Sequence, residues 1–148
     1  MAEWVSTSWG NIPENAIRAG YEEDGRPLYV ARARIEGVMT PGKAGPHLPG
    51  AHIPYYDKEH VFEKYEILVL PAGSSGFYQY EPVHASRRVP ENALKTDDND
   101  HGHKVYVGRF FHRGSLIPGK IVPDQCAYGP YGGEEIASDA YEYLVKIK

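Results

Sequence analysis

The chain is one unit written twice. Ile12-Pro13-Glu14-Asn15-Ala16-Ile17 returns as Val89-Pro90-Glu91-Asn92-Ala93-Leu94, 77 positions on. At the same offset Leu28-Tyr29-Val30-Ala31-Arg32 meets Val105-Tyr106-Val107-Gly108-Arg109, and Pro41-Gly42-Lys43 meets Pro118-Gly119-Lys120. After a one-residue deletion the offset is 76, aligning Pro54-Tyr55 with Pro130-Tyr131, Glu59 with Glu135, and Tyr65-Glu66 with Tyr141-Glu142. Such self-similarity means a repeated structural unit. Without a disulfide or metal, a unit of this size is marginal by itself. The two copies, about 4–72 and 77–148, are therefore expected to pack with pseudo-two-fold symmetry into one domain spanning 1–148.

The fold class follows from punctuation and residue type. With 16 glycines and 12 prolines in 148 residues, turns are frequent and a helix bundle is disfavoured. Leu28 to Ala33, Val105 to Phe111, Tyr65 to Leu70 and Tyr141 to Ile147 are rich in β-branched and aromatic residues. The expectation is an all-β protein of mainly antiparallel strands. Phe77 to Glu81 forms a bridge strand between the copies, and Ala2 to Ser6 occupies the matching place before the first. The windows 55–70 and 134–148 lack Gly and Pro for the longest stretches, which allows a helical turn ahead of each final strand. Thr40 to Pro54 reads as a long, Pro- and Gly-rich loop.

A formal charge of −4 lacks the basic footprint of a nucleic-acid binder. No apolar run is long enough to span a membrane. One cysteine, Cys126, makes no internal disulfide, and the first residues resemble no export signal. A cytoplasmic protein is expected, with unconventional release or cell-surface association left open.

Polar identities between copies carry more information than apolar ones, which a shared core explains. Pro-Glu-Asn-Ala suggests a turn whose Asn side chain bonds local backbone. Glu66 and Glu142 lie in strands, where Arg32 and Arg109 would serve as cross-strand partners. Lys43 and Lys120 each follow Pro-Gly, read as a stiff turn with close backbone approach. Glu59 and Glu135 follow an Ala-x-x-Pro-Tyr segment. A fixed carboxylate only accepts and a fixed ammonium only donates, so together they suit neighbouring hydroxyls of an uncharged sugar; a surface ion pair is the plainer alternative. The acidic runs 22–25 and 97–102 lack a calcium loop's closing glutamate. His101, His103 and His112 have no counterparts in the first copy. No metal or cofactor is expected.

Trp9-Gly10-Asn11 leading into the Pro-Glu-Asn-Ala turn, Asp24-Gly25, Pro41-Gly42-Lys43, Lys58-Glu59-His60 and Tyr65-Glu66-Ile67-Leu68-Val69, with their second-copy equivalents, resemble the DM9 repeat. The order and coverage are similar to the tandem DM9 lectins of bivalve molluscs. That resemblance implies a mannose-binding lectin of innate recognition, homodimeric and not an enzyme. It also implies that Glu22, which follows Ala-Gly-Tyr where aspartate is usual, works with Lys43. Glu59 is added to that site from its spacing. In the second copy Asn99 replaces Glu22, while Lys120 and Glu135 persist, so that site is expected to be weaker, altered or lost. The competing readings are a structural or membrane-interacting DM9 protein and a two-carboxylate glycosidase using Glu22 and Glu59.

Overall fold

The computed structural model describes residues 3–70, 78–83, 88–100 and 103–147, with side chains except at 97–100 and 103. Every regular element among them is a strand. The first copy supplies β1 (Glu3–Ser8), β2 (Arg18–Tyr21), β3 (Pro27–Ile35), β4 (Val38–Ala44), β5 (Ala51–Tyr55), β6 (Lys58–Phe62) and β7 (Lys64–Val69). The second repeats the series as β8 (Tyr78–Pro82), β9 (Lys95–Asp100), β10 (His103–His112), β11 (Ser115–Val122), β12 (Cys126–Tyr131), β13 (Glu134–Ser138) and β14 (Glu142–Lys146). Both expected bridge positions are strands, although Ala2 and Phe77 fall outside the described residues.

All pairings are antiparallel. The strand order is β1-β7-β3-β4-β5-β6-β13-β12-β11-β10-β14-β8, with β2 joined to β3 and β11, and β9 to β10. The second half of this order is the first half reversed, as a pseudo-two-fold axis between β6 and β13 requires. A contact across that axis, Lys58 opposite Glu134, fuses the halves. β2 also crosses over, placing Tyr21 opposite Leu116. Gly20 is required there: a Cβ would stand 2.0 Å from the Leu116 carbonyl oxygen.

The core has the same symmetry. Ile53, Tyr65 and Ile67 centre one cluster, and Phe110, Ile117, Ile121 and Tyr143 the other. A third cluster belongs to both copies, joining Val30 and Leu68 to their equivalents Val107 and Leu144. All four are essentially inaccessible. Full burial of such a side chain contributes about 1.5–3 kcal/mol, and here each copy supplies part of the other's packing.

Three local expectations change. No helical turn precedes β7 or β14; each window instead holds part of a hairpin. The β5–β6 turn has φ of 55° at Tyr56 and 65° at Asp57, and the β12–β13 turn has 61° at Gly132 and 86° at Gly133. Two successive positive φ values are the signature of a tight hairpin turn, and the first copy builds it without glycine. The long loop shrinks to positions 45–50, because Pro41-Gly42-Lys43 is strand rather than turn. Proline is tolerated because β5 is paired only from Lys43, which faces His52. The close backbone approach is real: a Cβ on Gly42 or Gly119 would lie 2.2 Å from the carbonyl oxygen of His52 or Tyr128. Finally, the Pro-Glu-Asn-Ala turns exist, but asparagine suits them through its backbone. Asn15 and Asn92 have φ of 70° and 65°, and their carbonyls accept the N–H groups of Leu70 and Lys146.

Candidate functional site

Two arginines show how the copies are tied together. Arg32 faces Glu66 across β3 and β7 and binds its carboxylate at 2.7 Å, and Arg109 does the same to Glu142. These are the cross-strand pairs expected from the sequence. Each guanidinium also reaches into the other copy. Arg32 Nη1 donates to the Thr96 carbonyl at 3.2 Å and Arg109 Nη1 to the Ala19 carbonyl at 3.0 Å. Their flat faces lie over Trp4 and Tyr80, at 4.3 and 3.5 Å from the ring centroids. These contacts make both arginines part of the scaffold that ties the copies together.

The lysines stand apart from them. Lys43 and Lys120 are only 5% exposed, so each ammonium needs compensation inside the protein. On β4, Lys43 Nζ lies 4.0 Å from Glu22 Oε1 and 3.9 Å from Glu59 Oε2. Both are ion-pair separations, longer than a hydrogen bond. The ring of Tyr131, from the other copy, is 5.8 Å away. Glu22 opens the β2–β3 turn, where its N–H donates to the Arg26 carbonyl and its carbonyl accepts from Gly25. Since Tyr21 pairs with Leu116, the Glu22 carboxylate is delivered to the junction. There it lines a cleft of about 510 Å³ with Ser115 and Tyr131 of the second copy.

Two histidines complete this cluster. His47 Nε2 is 2.7 Å from Glu22 Oε2, and His52 Nδ1 is 3.1 Å from Glu59 Oε2. An ionised carboxylate only accepts, so the His47 ring donates through Nε2; His52 Nδ1 stands at ion-pair distance from Glu59 without the alignment of a hydrogen bond. Burial pushes the Glu59 carboxyl up. The adjacent His52 ring, the Lys43 charge and the Gly133 N–H outweigh it and hold the group below the ordinary glutamate range. The result is a cation flanked by two oriented carboxylates, each fixed from behind. Among the described residues no group of His, Cys, Asp and Glu has the arrangement of a metal site.

The second copy repeats part of this. Lys120 Nζ is 3.3 Å from Glu135 Oε2, and its ammonium sits 5.1 and 5.5 Å from the ring centroids of Tyr55 and Tyr128. Lys120, Glu135, Tyr55, Tyr56 and Tyr128 line a cleft of about 320 Å³. The backbone of Asn99 lies in β9, but its side chain, like those of Asp97, Asp98, Asp100 and His103, is outside the described residues, as is all of His101. The structure therefore brings together Glu22, Lys43 and Glu59 in one site and Lys120 and Glu135 in the other. His47, His52 and the reciprocal tyrosines were not expected from the sequence. Tyr55 and Tyr131 are aligned between the copies, and that identity was the available signal.

Fold and site define a duplicated all-β protein in which each half completes the charged cleft of the other. The chain belongs to the DM9 repeat family: the family's model, described as the DM9 repeat, matches residues 1–62 and 97–148. Among solved structures it is similar to the nematode sperm cell motility protein MFP2B, with a TM-score of 0.73 and 19% identity over the whole of this chain. The chain spans 47% of that protein's length, and at this identity the likeness concerns the fold. No curated protein matches the sequence.

Proposed function

We propose that this protein is a lectin that binds mannose and mannose-containing glycans at the two junction clefts, without turnover. The observation that carries the reading is the position of Lys43 Nζ, about equally far from Glu22 and Glu59 and hydrogen-bonded to neither. A hydroxyl entering between them can accept from the ammonium while donating to a carboxylate. Adjacent hydroxyls, such as the axial 2-OH and equatorial 3-OH of mannose, fit alternating donors and acceptors. Tyr131 offers a flat apolar surface to the ring.

Each such bond displaces water from groups that are already charged, so affinity for one monosaccharide is weak. Two clefts per chain, doubled in a homodimer, would raise avidity on a dense microbial glycan without new contacts. Glu22 and Glu59 share one ammonium, and Glu59 is held ionised; a glycosidase would need one of its two acids kept protonated. That supports binding over hydrolysis.

The test is mannan and glycan-array binding of wild type beside Lys43→Ala and Lys120→Ala. Loss with the first variant alone makes the first cleft dominant, and partial loss with each makes both functional. No glycan signal from the wild type defeats the reading and leaves a structural or membrane-associated role.

A further inference from the structure

The two junction clefts are built on equivalent tyrosines, yet the residue after each tyrosine differs. Tyr131 stands near Lys43 in the first cleft and is followed by Gly132, at φ 61°. Tyr55 stands near Lys120 in the second and is followed by Tyr56, at φ 55°. That left-handed backbone is ordinary for glycine and unfavourable for a bulky side chain. Tyr56 is also 82% exposed, so burial does little to offset the strain. Nor does the turn need the ring, since the second copy closes the same turn with Gly132 and Gly133. A strained, exposed aromatic that the fold does not require points to a contact with something outside the chain.

The surroundings of Tyr56 narrow what that is. Its ring stacks on Tyr55, with centroids 5.8 Å apart and planes 22° from parallel. Tyr55 is steadied in turn by His60, whose ring meets it edge-on and whose Nε2 bonds the Tyr55 carbonyl at 3.0 Å. The two tyrosines line both the Lys120 cleft and a second cleft of about 500 Å³ that also holds Glu36, Lys58 and His60. The clefts therefore adjoin along the tyrosine pair. On the Lys120 side, Glu135 is fixed through Oε1 by the Asp57 N–H. Its Oε2 is buried, 3.3 Å from Lys120 Nζ, and has no hydrogen-bond partner among the described residues. A buried carboxylate oxygen in that state calls for a donor from a ligand. The ligand thus has a hydroxyl at one end, an apolar face for Tyr56, and polar groups beyond.

We propose that the second cleft is an oligosaccharide site, an inference that rests on the lectin reading above. One hexose bonds Lys120 and Glu135, and the next packs its apolar face on Tyr56, towards the cleft of Glu36, Lys58 and His60. The first cleft, with Gly132 in the matching place, takes a terminal residue alone. Duplication has thereby produced two sites of different reach, one for chain ends and one for a stretch of chain.

The experiment is calorimetric titration of the intact chain with methyl α-mannoside and with linear mannotriose. Lys43→Ala is the background, so that the second cleft is read by itself. Expected is binding of mannotriose about three- to tenfold tighter than of the monosaccharide, the gain from one aromatic contact. Adding Tyr56→Gly should abolish that preference without lowering Tm, because glycine suits the turn better. Tyr56→Asn, which also tolerates this backbone and lacks the ring, should abolish it too if Tyr56→Gly folds poorly. Phe111→Ala, which removes an exposed aromatic outside both clefts, should leave the preference intact. Equal affinities for the two sugars, or a preference that survives the Tyr56 substitutions, overturns the oligosaccharide site and leaves the lectin reading standing. So does a Lys43→Ala protein that binds neither sugar while wild type binds mannose. Failure of wild type to bind either sugar defeats the lectin reading and this proposal with it.

Discussion

Glu59 Oε1 accepts the backbone N–H of Gly133 at 3.1 Å, and Glu135 Oε1 accepts that of Asp57 at 3.2 Å. Asp57 and Gly133 are equivalent turn positions, so each glutamate holds the hairpin turn of the opposite copy. The backbones do likewise: Glu59 N–H donates to the Gly133 carbonyl and Glu135 N–H to that of Asp57, both at 3.1 Å. The same two carboxylates face the two buried lysines. One pair of residues therefore clamps the molecule across its pseudo-two-fold axis and sets a carboxylate beside each buried lysine.

Removing either clamp should be costly. Glu59→Ala or Glu135→Ala leaves a buried ammonium less compensated and a turn N–H without its acceptor. Each is expected to lose about 2–3 kcal/mol in urea denaturation, more than a typical surface substitution. Glu→Gln retains an oxygen acceptor and should lose less than alanine at either position.

The low-lying Glu59 carboxyl gives that clamp a pH dependence of known sign. A group whose folded value is depressed contributes stability in full above its unfolded value, near 4.5, and loses it as pH falls through the folded value. Wild type should therefore exceed Glu59→Gln most clearly at neutral pH, and the difference in Tm should shrink below about pH 4.5. A gap between the two that is constant from pH 7 to pH 3 would show that the carboxylate charge contributes nothing.

The arginine ties make a sharper geometric prediction. Arg32 uses Nε and Nη2 on Glu66 and Nη1 on Thr96, three donors spread over one plane. A lysine ammonium cannot reproduce that fork. Arg32→Lys and Arg109→Lys should accordingly lose nearly as much as the alanine variants, about 2–3 kcal/mol allowing for partial exposure. Double substitution should exceed either single one and expose the shared cluster of Val30, Leu68, Val107 and Leu144, measurable by hydrogen exchange.

The duplication, the strands β3, β7, β10 and β14, and the Arg32–Glu66 and Arg109–Glu142 pairs were legible in the sequence because each is local or repeated at a fixed offset. The β5–β6 hairpin was not. Its turn uses Tyr56 and Asp57 with positive φ, a conformation that Gly132 and Gly133 announce only in the second copy. His47 and His52 were hidden for a related reason: the aligned positions hold Asp124 and Tyr128, so comparison of the copies gives no signal. Lys43, Glu22 and Glu59 could be nominated one by one, but what fixes them arrives from the opposite copy through Tyr131 and Gly133. Contacts across the axis depend on how the halves dock, and no spacing along the chain encodes that directly.

The glycines next to the lysines test whether strand spacing sets the cleft. At Gly42 and Gly119 an added Cβ would meet a backbone carbonyl oxygen at 2.2 Å, where no rotamer change can relieve the clash. Gly42→Ala should push β5 away from β4, destabilise the fold by about 3 kcal/mol or more, and displace His52 from its place behind Glu59. Gly119→Ala does the same to β12, carrying Tyr128 away from Lys120. Gly25, around which an added Cβ meets nothing within 4 Å, is the matching control; its φ of 92° makes Gly25→Ala strained for backbone reasons alone. If β5 is what positions the first site, Gly42→Ala should lower mannan binding far more than Gly25→Ala does when both are compared well below their melting temperatures. Equal losses in the two variants would mean that cleft geometry does not depend on the β4–β5 spacing.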